Sequence, residues 1–203
     1  MVNAAELRII RKLVGAPDCI EAWLDRFYEP DEVRLLLSVQ DRSATGAEMT
    51  SALGFDQEVL NRAWQRGVIV WSDEDEISSA DFHTRFDYWA MFEGWKDVPE
   101  NIRDCLNKWE LQHYFSTHSQ DLETIRSGRI PSPERFIPRY LLLKESLEVI
   151  DRVEHIYLWP CNCRLMLGNC SKPVYTCLRF FNDRDIGWEI SPEKAKEVIQ
   201  EAN

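Results

Sequence analysis

Residues 44–78, ATGAEMTSALGFDQEVLNRAWQRGVIVWSDEDEIS, decide how the N-terminal half of this chain is read. A short helix over AEMTSALG is stopped by Gly54, since glycine adopts the left-handed conformation that ends helices at little steric cost. Asp56 is a good N-cap for the next helix, which the pattern carries to Arg66, with Gly67 closing it. Val68-Ile69-Val70-Trp71 is β-branched and aromatic, which predicts a strand. Ser72-Asp73-Glu74-Asp75 reads as a turn and Glu76-Ile77-Ser78 as the returning strand. A helix over Asp31–Val39 precedes all of this. Helix, short helix, helix and β-hairpin together predict a winged helix-turn-helix.

The charges on that module argue about its partner. The helix in the recognition position would enter a major groove with Asp56 and Glu58 leading, and phosphates repel both. The wing tip is Asp73-Glu74-Asp75-Glu76. From Asp31 to Arg85 there are eleven acids against five arginines and no lysine. Nucleic-acid affinity comes largely from counterions released as Lys and Arg meet phosphates, so nucleic acid is a disfavoured partner. A winged helix used for packing or protein contact fits better.

Working outward, Leu7, Ile10, Leu13 and Val14 share one face of a helix over Ala4–Val14, ended by Gly15. A second short helix starts near Asp18 and carries Ile20, Trp23, Leu24 and Phe27. From Phe82 to Phe115 the chain is aromatic and helical, with Phe82, Phe86, Trp89 and Ala90 at helical spacing and a restart at Val98-Pro99-Glu100. His83, His113 and His118 lack the i,i+4 pairing of a helical metal motif, and are expected to be solvated or hydrogen-bonded. Residues 116–139, rich in Ser, Pro and Arg, read as a connector. Beyond it the pattern gives a helix over Leu141–Ile150, a strand over His155–Trp159 and another over Val174–Phe181. A short third strand follows near Trp188. Ser191 is an N-cap with Pro192 at the first helical position, starting a last helix to Ala202. The expected fold is therefore α+β and mostly helical. A winged-helix-like domain (1–115) and a connector (116–139) lead to a small α+β cluster domain (140–203).

The 203 residues are 44% hydrophobic and 29% charged, values of a globular chain with a real core. The net charge is −11, which also disfavours an anionic membrane surface. No run approaches the ~20 apolar residues of a spanning helix. Met1–Glu6 lacks the basic and apolar regions of a signal peptide, so a cytoplasmic protein with reduced thiols is expected. Cys19 and Cys105, distant from the other cysteines, are expected to be small buried hydrophobes.

Those other four, Cys161, Cys163, Cys170 and Cys177, fall within seventeen residues at Cys-x-Cys-x6-Cys-x6-Cys spacing. Four thiols this close read as one metal or cluster site. Zinc sites are most often built from paired Cys-x2-4-Cys knuckles, a pattern missing here, though structural zinc stays open as the alternative. An iron–sulfur cluster is also held by four thiolates and accepts irregular spacing. Arg164, Lys172 and Arg179 would offset the thiolates' charge, and Pro173 would stiffen the approach. Trp159, Tyr175, Phe180 and Phe181 are expected to shield the site. No Ser/His/Asp grouping, phosphate loop or paired carboxylate stands out to make an enzyme.

The ordered motif Pro160-Cys161-Asn162-Cys163-Arg164 … Cys170-Ser171-Lys172-Pro173 … Cys177-Leu178-Arg179-Phe180, followed by Ile190-Ser191-Pro192-Glu193-Lys194-Ala195, resembles a family of iron–sulfur proteins of anaerobic microbes. Its members pair a winged-helix-like region with a Cys-x-Cys-Arg … Cys … Pro … Cys-Leu-x-Phe motif. The resemblance implies a [4Fe-4S] cluster on Cys161, Cys163, Cys170 and Cys177. Many members continue into further cysteine motifs, whereas this sequence stops at Asn203. A single cluster implies a redox partner protein rather than an internal relay. Electron transfer, or an accessory role beside a redox enzyme, is the expected function; a redox- or iron-responsive winged-helix regulator is the alternative, and a structural zinc protein mediating interactions a second.

Overall fold

Helix starts in this chain are set by side chains that occupy otherwise unpaired backbone N–H groups. Asn3 Oδ1 accepts from Ala5 N at 2.9 Å and Glu6 N at 3.0 Å, and Glu6 answers by accepting from Asn3 N at 2.8 Å. This capping box opens α1 (Ala4–Val14), which ends where Gly15 takes a φ of 73°. A 3₁₀ segment (Asp18–Arg26) leads to α2 (Pro30–Ser38). There follow β1 (Ala44–Thr45), α3 (Gly46–Ser51), α4 (Gln57–Gln65) and the strands β2 (Ile69–Trp71) and β3 (Glu76–Ser79). Asp56 stands at the cap position of α4, but its side chain makes no capping bond, so that expectation is corrected. In the computed structural model the described residues are 3–40, 42–128, 141–168 and 170–202, apart from the side chains of 120–122 and 125.

The three strands form an antiparallel sheet of order β1-β3-β2, with Ala44 opposite Ile77 and Trp71 opposite Ile77 on its other side. Next, α5 (Phe82–Trp89) widens into a π turn at Ala90–Gly94 and a 3₁₀ turn at Trp95–Asp97, before the long α6 (Glu100–Arg126). That helix runs through the boundary expected at residue 115. Ser116 and Ser119 do not break it because their hydroxyls bond back to the carbonyls of His113 and Ser116. The prolines of the connector, at 131, 133 and 138, lie outside the described residues. The C-terminal part has α7 (Leu143–Ile150), β4 (Tyr157–Pro160), α8 (Asn162–Leu167), β5 (Tyr175–Arg179), β6 (Trp188–Glu189) and α9 (Pro192–Ala202). Its sheet is antiparallel, of order β5-β4-β6. The chain is thus α+β and mostly helical.

One large core joins α1, α2, the first sheet, α5 and α6, with Phe27, Phe82, Phe86 and Leu106 fully buried. The C-terminal part adds only a small core of its own around Ile150, Ile156 and Ala195. It leans on the larger one: Met166 of α8 belongs to that core. Trp159 of β4 packs edge-on to Tyr88 and Phe92, at 5.7 and 5.3 Å between centroids. Gly187, at a φ of 90°, lies so close beneath the Trp159 ring that a Cβ there would collide with it.

A charged network runs from the large core, where Arg85 and Glu32 are buried, out to the exposed Glu93 and Glu29. Arg85, with no exposed surface, donates to Phe27 O at 2.7 Å and grips both carboxylate oxygens of Glu93 at 2.8 and 2.7 Å. Arg66 joins Glu93 to Glu32 and Glu29. Burial pushes the Glu93 carboxyl up, but hydrogen bonds and charge from Arg85 and Arg66 outweigh it and hold the group below its ordinary value. A carboxyl lowered in the folded state contributes stability above its unfolded pKa and loses it as pH falls through the folded one. The stability gap between the wild type and Glu93→Gln should therefore be widest near neutral pH and shrink below about pH 4. Urea unfolding of both proteins across that range measures it, and a gap independent of pH would refute the assignment.

Candidate functional site

The four clustered cysteines surround the junction of β4, α8 and β5. Pairing between β4 and β5 sets Trp159 opposite Cys177 and shifts register just before Pro160. Cys161 N then donates to Val174 O at 2.7 Å, extending the pairing by one bond before the chain turns. Cys161 occupies the cap position of α8, and Cys163 lies in that helix's first turn. A helix at Asn162–Leu167 was not anticipated; Gly168, at a φ of 66°, ends it. Cys161 is partly buried, whereas Cys163, Cys170 and Cys177 are exposed.

Among the described residues no three thiols come within 4.8 Å of one another, although Cys161, Cys163 and Cys177 act on one another through their charge. Burial pushes the Cys163 thiol up, and the charge of Cys161 beside it pushes further, with smaller contributions from Asp87 and Cys177. Burial and then Cys161 likewise raise Cys177, while Arg179 and Arg164 pull it back. Arg164 also ties the segment together: it donates to Pro173 O at 2.8 Å and to Thr176 Oγ1 at 3.0 Å, and reaches Ala202 O. The Arg179 guanidinium lies 3.9 Å over the Trp159 ring. Lys172 is exposed. Cys170 is exposed on the loop between α8 and β5, and nothing in the structure ties its thiol to the other three.

The expected shield is corrected. Trp159 is 3% exposed, but Tyr175, Phe180 and Phe181 are 52, 40 and 70% exposed. The reason is alternation: in β5 the residues 175, 177 and 179 share the outward face, so Tyr175 stands beside Cys177 in solvent. Phe180 and Phe181 follow the end of the strand. Cys19 and Cys105 are corrected too. They are not separate buried thiols: Cys19 is exposed, and the two form a disulfide between the 3₁₀ segment and α6, with Cα atoms 6.7 Å apart. A cystine weighs against the expectation that all six cysteines stay reduced.

A second cluster was missed. Among the described residues, His83, Asp87 and Glu110 are the one set of three His, Cys, Asp or Glu whose donor atoms lie within 4.8 Å of one another. His83 Nδ1 is 2.9 Å from Glu110 Oε2, and its Nε2 is 3.9 Å from Asp87 Oδ2. The hydrogen bond to Glu110 raises the His83 pKa, with burial opposing and Asp87 adding to the rise. Burial raises Asp87, against the charge of His83 and a bond from Asn162. An i,i+4 His/Asp pair on α5 was legible in the sequence; Glu110, 27 residues beyond His83, was not. His113 stacks on His83 at 4.7 Å, and His118 lies against Tyr114. Among the described residues, no helix is long and apolar enough to cross a membrane. Comparison with family models, curated proteins and solved structures finds no match to this chain, so the likeness of its cysteine motif to iron–sulfur proteins stands on that motif alone.

Proposed function

We propose that the chain binds a [4Fe-4S] cluster through Cys161, Cys163, Cys170 and Cys177, and acts in electron transfer or as a redox accessory subunit to a partner enzyme. The observation that carries this reading is the placement of Cys161, Cys163 and Cys177 around the β4–α8–β5 junction, where the charge of Cys161 raises the other two thiols and Arg179 and Arg164 pull Cys177 back. The Cys-x-Cys-x6-Cys-x6-Cys spacing in the sequence, without paired Cys-x2-4-Cys knuckles, favours the cluster over zinc. When bound, the cluster supplies a centre that accepts and gives up one electron. The protein's own residues do the rest: the two arginines offset thiolate charge, and the Arg164 bonds to Pro173 and Thr176 hold the Cys170 and Cys177 segments against α8.

The N-terminal module is read as a winged helix that docks protein. Its topology, α2-β1-α3-α4-β2-β3 with sheet order β1-β3-β2, supports the first part. Charge supports the second: the arginines of α4's C-terminal end are engaged by acids, Arg62 by Glu29, and Arg66 by Glu29, Glu32 and Glu93. They are not free for phosphates. Exposed Tyr175, Phe180, Phe181 and Trp188 beside the cysteines offer an apolar face to the redox partner.

Anaerobic purification with iron, sulfide and zinc analysis tests the reading, with an electron-paramagnetic-resonance spectrum of the reduced protein. About four irons and four sulfides per chain, lost in Cys161→Ser or Cys177→Ser, are expected. One zinc without sulfide would overturn it.

A further inference from the structure

We propose that His83, Asp87 and Glu110 form a second site, separate from the cysteines, that binds a divalent transition-metal cation through one imidazole and two carboxylates.

Three elements build it. His83 and Asp87 stand four residues apart on α5, which puts both on one face. Glu110 comes from α6, and Asn162 from α8 closes the third side. The separations suit a metal. Donors around a cation with bonds of about 2.1 Å lie about 3.0–3.4 Å apart in tetrahedral or octahedral arrangements. Glu110 Oε2 lies 2.9 Å from Nδ1 and Asp87 Oδ2 lies 3.9 Å from Nε2, so one ring nitrogen takes the ion and the carboxylate on the other side must swing toward it; one donor atom from each of the three residues already lies within 4.8 Å of the others. The three side chains are 33, 23 and 23% exposed, enclosed enough to hold an ion yet reachable from solvent.

The surrounding residues are arranged as outer supports of a metal site are. Asn162 Nδ2 donates to Asp87 Oδ1 at 3.1 Å, which fixes that carboxylate with its other oxygen toward His83. His113 stacks on the His83 ring at 4.7 Å and 24°, and Trp109 stacks on His113 in turn, so the imidazole plane is held. A groove of about 200 Å³ opens beside Glu110, bordered by Leu111, Tyr114, Cys163 and Met166. Three protein ligands with an open side is the pattern of a site that keeps a coordination position for another molecule.

The donor set selects the metal class. One imidazole with two carboxylates is too hard for a thiophilic ion, and its nitrogen favours Mn²⁺, Fe²⁺, Co²⁺ or Zn²⁺ over Ca²⁺. The site shares no ligand with the cysteine cluster, so either can exist without the other. They are neighbours, because Asn162 lies between Cys161 and Cys163 on the same short helix.

Cobalt titration of the full chain separates the two sites. The metal-stripped variant with Cys161, Cys163, Cys170 and Cys177 all changed to Ser should still bind one Co²⁺. Its spectrum should show weak visible bands and no thiolate-to-cobalt charge transfer. Glu110→Gln and Asp87→Asn, made in the same background, should each weaken that binding at least tenfold. Because these changes also remove contacts between helices, a measurement on the unmutated chain accompanies them. Substoichiometric Mn²⁺ should broaden the His83 ring resonances while those of His155, two residues ahead of β4, stay sharp. Unchanged His83 resonances, equal Co²⁺ affinity in the Gln and Asn variants, or cobalt bound solely through thiolates would each overturn the proposal. Iron and sulfide content of the unmutated protein reports on the cysteine site independently.

Discussion

Arg85→Ala should cost about 3 kcal/mol of folding stability, the low end of the range for removing one partner of a buried ion pair, because Arg85 is buried while Glu93 is exposed. Arg85 has no exposed surface and makes four hydrogen bonds: to Phe27 O, to Arg66 O, and two to Glu93. Truncation leaves two buried carbonyls short of a donor and strips Glu93 of its bidentate partner, and each orphaned group carries its own desolvation cost. Arg66 still reaches Glu93 at 2.9 Å, which limits the damage. The double variant Arg85→Met/Glu93→Gln should recover part of the loss, because it removes the stranded charge along with its partner. Urea unfolding of the single and double variants gives both numbers. A loss below about 1 kcal/mol for Arg85→Ala would mean that water compensates the network far better than its burial implies.

Trp159→Ala should be of similar size, about 3–5 kcal/mol, the usual range for emptying a buried aromatic site. The ring is 3% exposed, wedged between Tyr88 and Phe92 on one side and Arg179 and Gly187 on the others. Its Nε1 donates to Ile186 O at 3.0 Å. Trp159→Phe keeps much of the packing and loses that bond, so about 1 kcal/mol is expected. The effect should also be regional. Trp159 fastens the C-terminal sheet to α5 and the turn after it, and the C-terminal part has only the small core around Ile150, Ile156 and Ala195 to fall back on. Amide hydrogen exchange in β4 and β5 should accelerate more than in α2 or β3. Since Trp159 lies opposite Cys177, the proposed cluster predicts that iron content falls in parallel. Uniform acceleration across the chain would show that the two parts unfold as one unit instead.

The elements that were legible in advance are those whose signals are local. α1 was readable to the residue because its apolar positions repeat with helical spacing and Gly15 stops it. The hairpin of β2 and β3 was readable because a β-branched run ends in the turn Ser72-Asp73-Glu74-Asp75, where Asp75 takes a φ of 63°. The last helix begins at Pro192, and Lys194 N donates to Ser191 Oγ as a capping serine requires. Asp56 shows the limit of such signals: the residue type and position were right, yet the side chain turned elsewhere. The end of α6 was misplaced because a stretch rich in Ser, Pro and Arg was read as a connector from residue 116, when serine hydroxyls can serve the carbonyls of the preceding turn and leave the helix intact.

By itself, the sequence determined the helical and strand content, the acidic character of the N-terminal module, and the grouping of four cysteines along seventeen residues. Periodicity, caps and spacing act within a few residues, so they are written in the chain directly. Only the tertiary structure decided that Cys161, Cys163 and Cys177 flank one junction, that Cys19 meets Cys105 across 86 residues, and that Glu110 closes on His83. It also decided that Tyr175, Phe180 and Phe181 look outward rather than over the cysteines. Those relations depend on how α5, α6 and α8 pack and on which face of β5 meets the core. Burial of the large hydrophobic cluster fixes both, and no local rule of spacing encodes them.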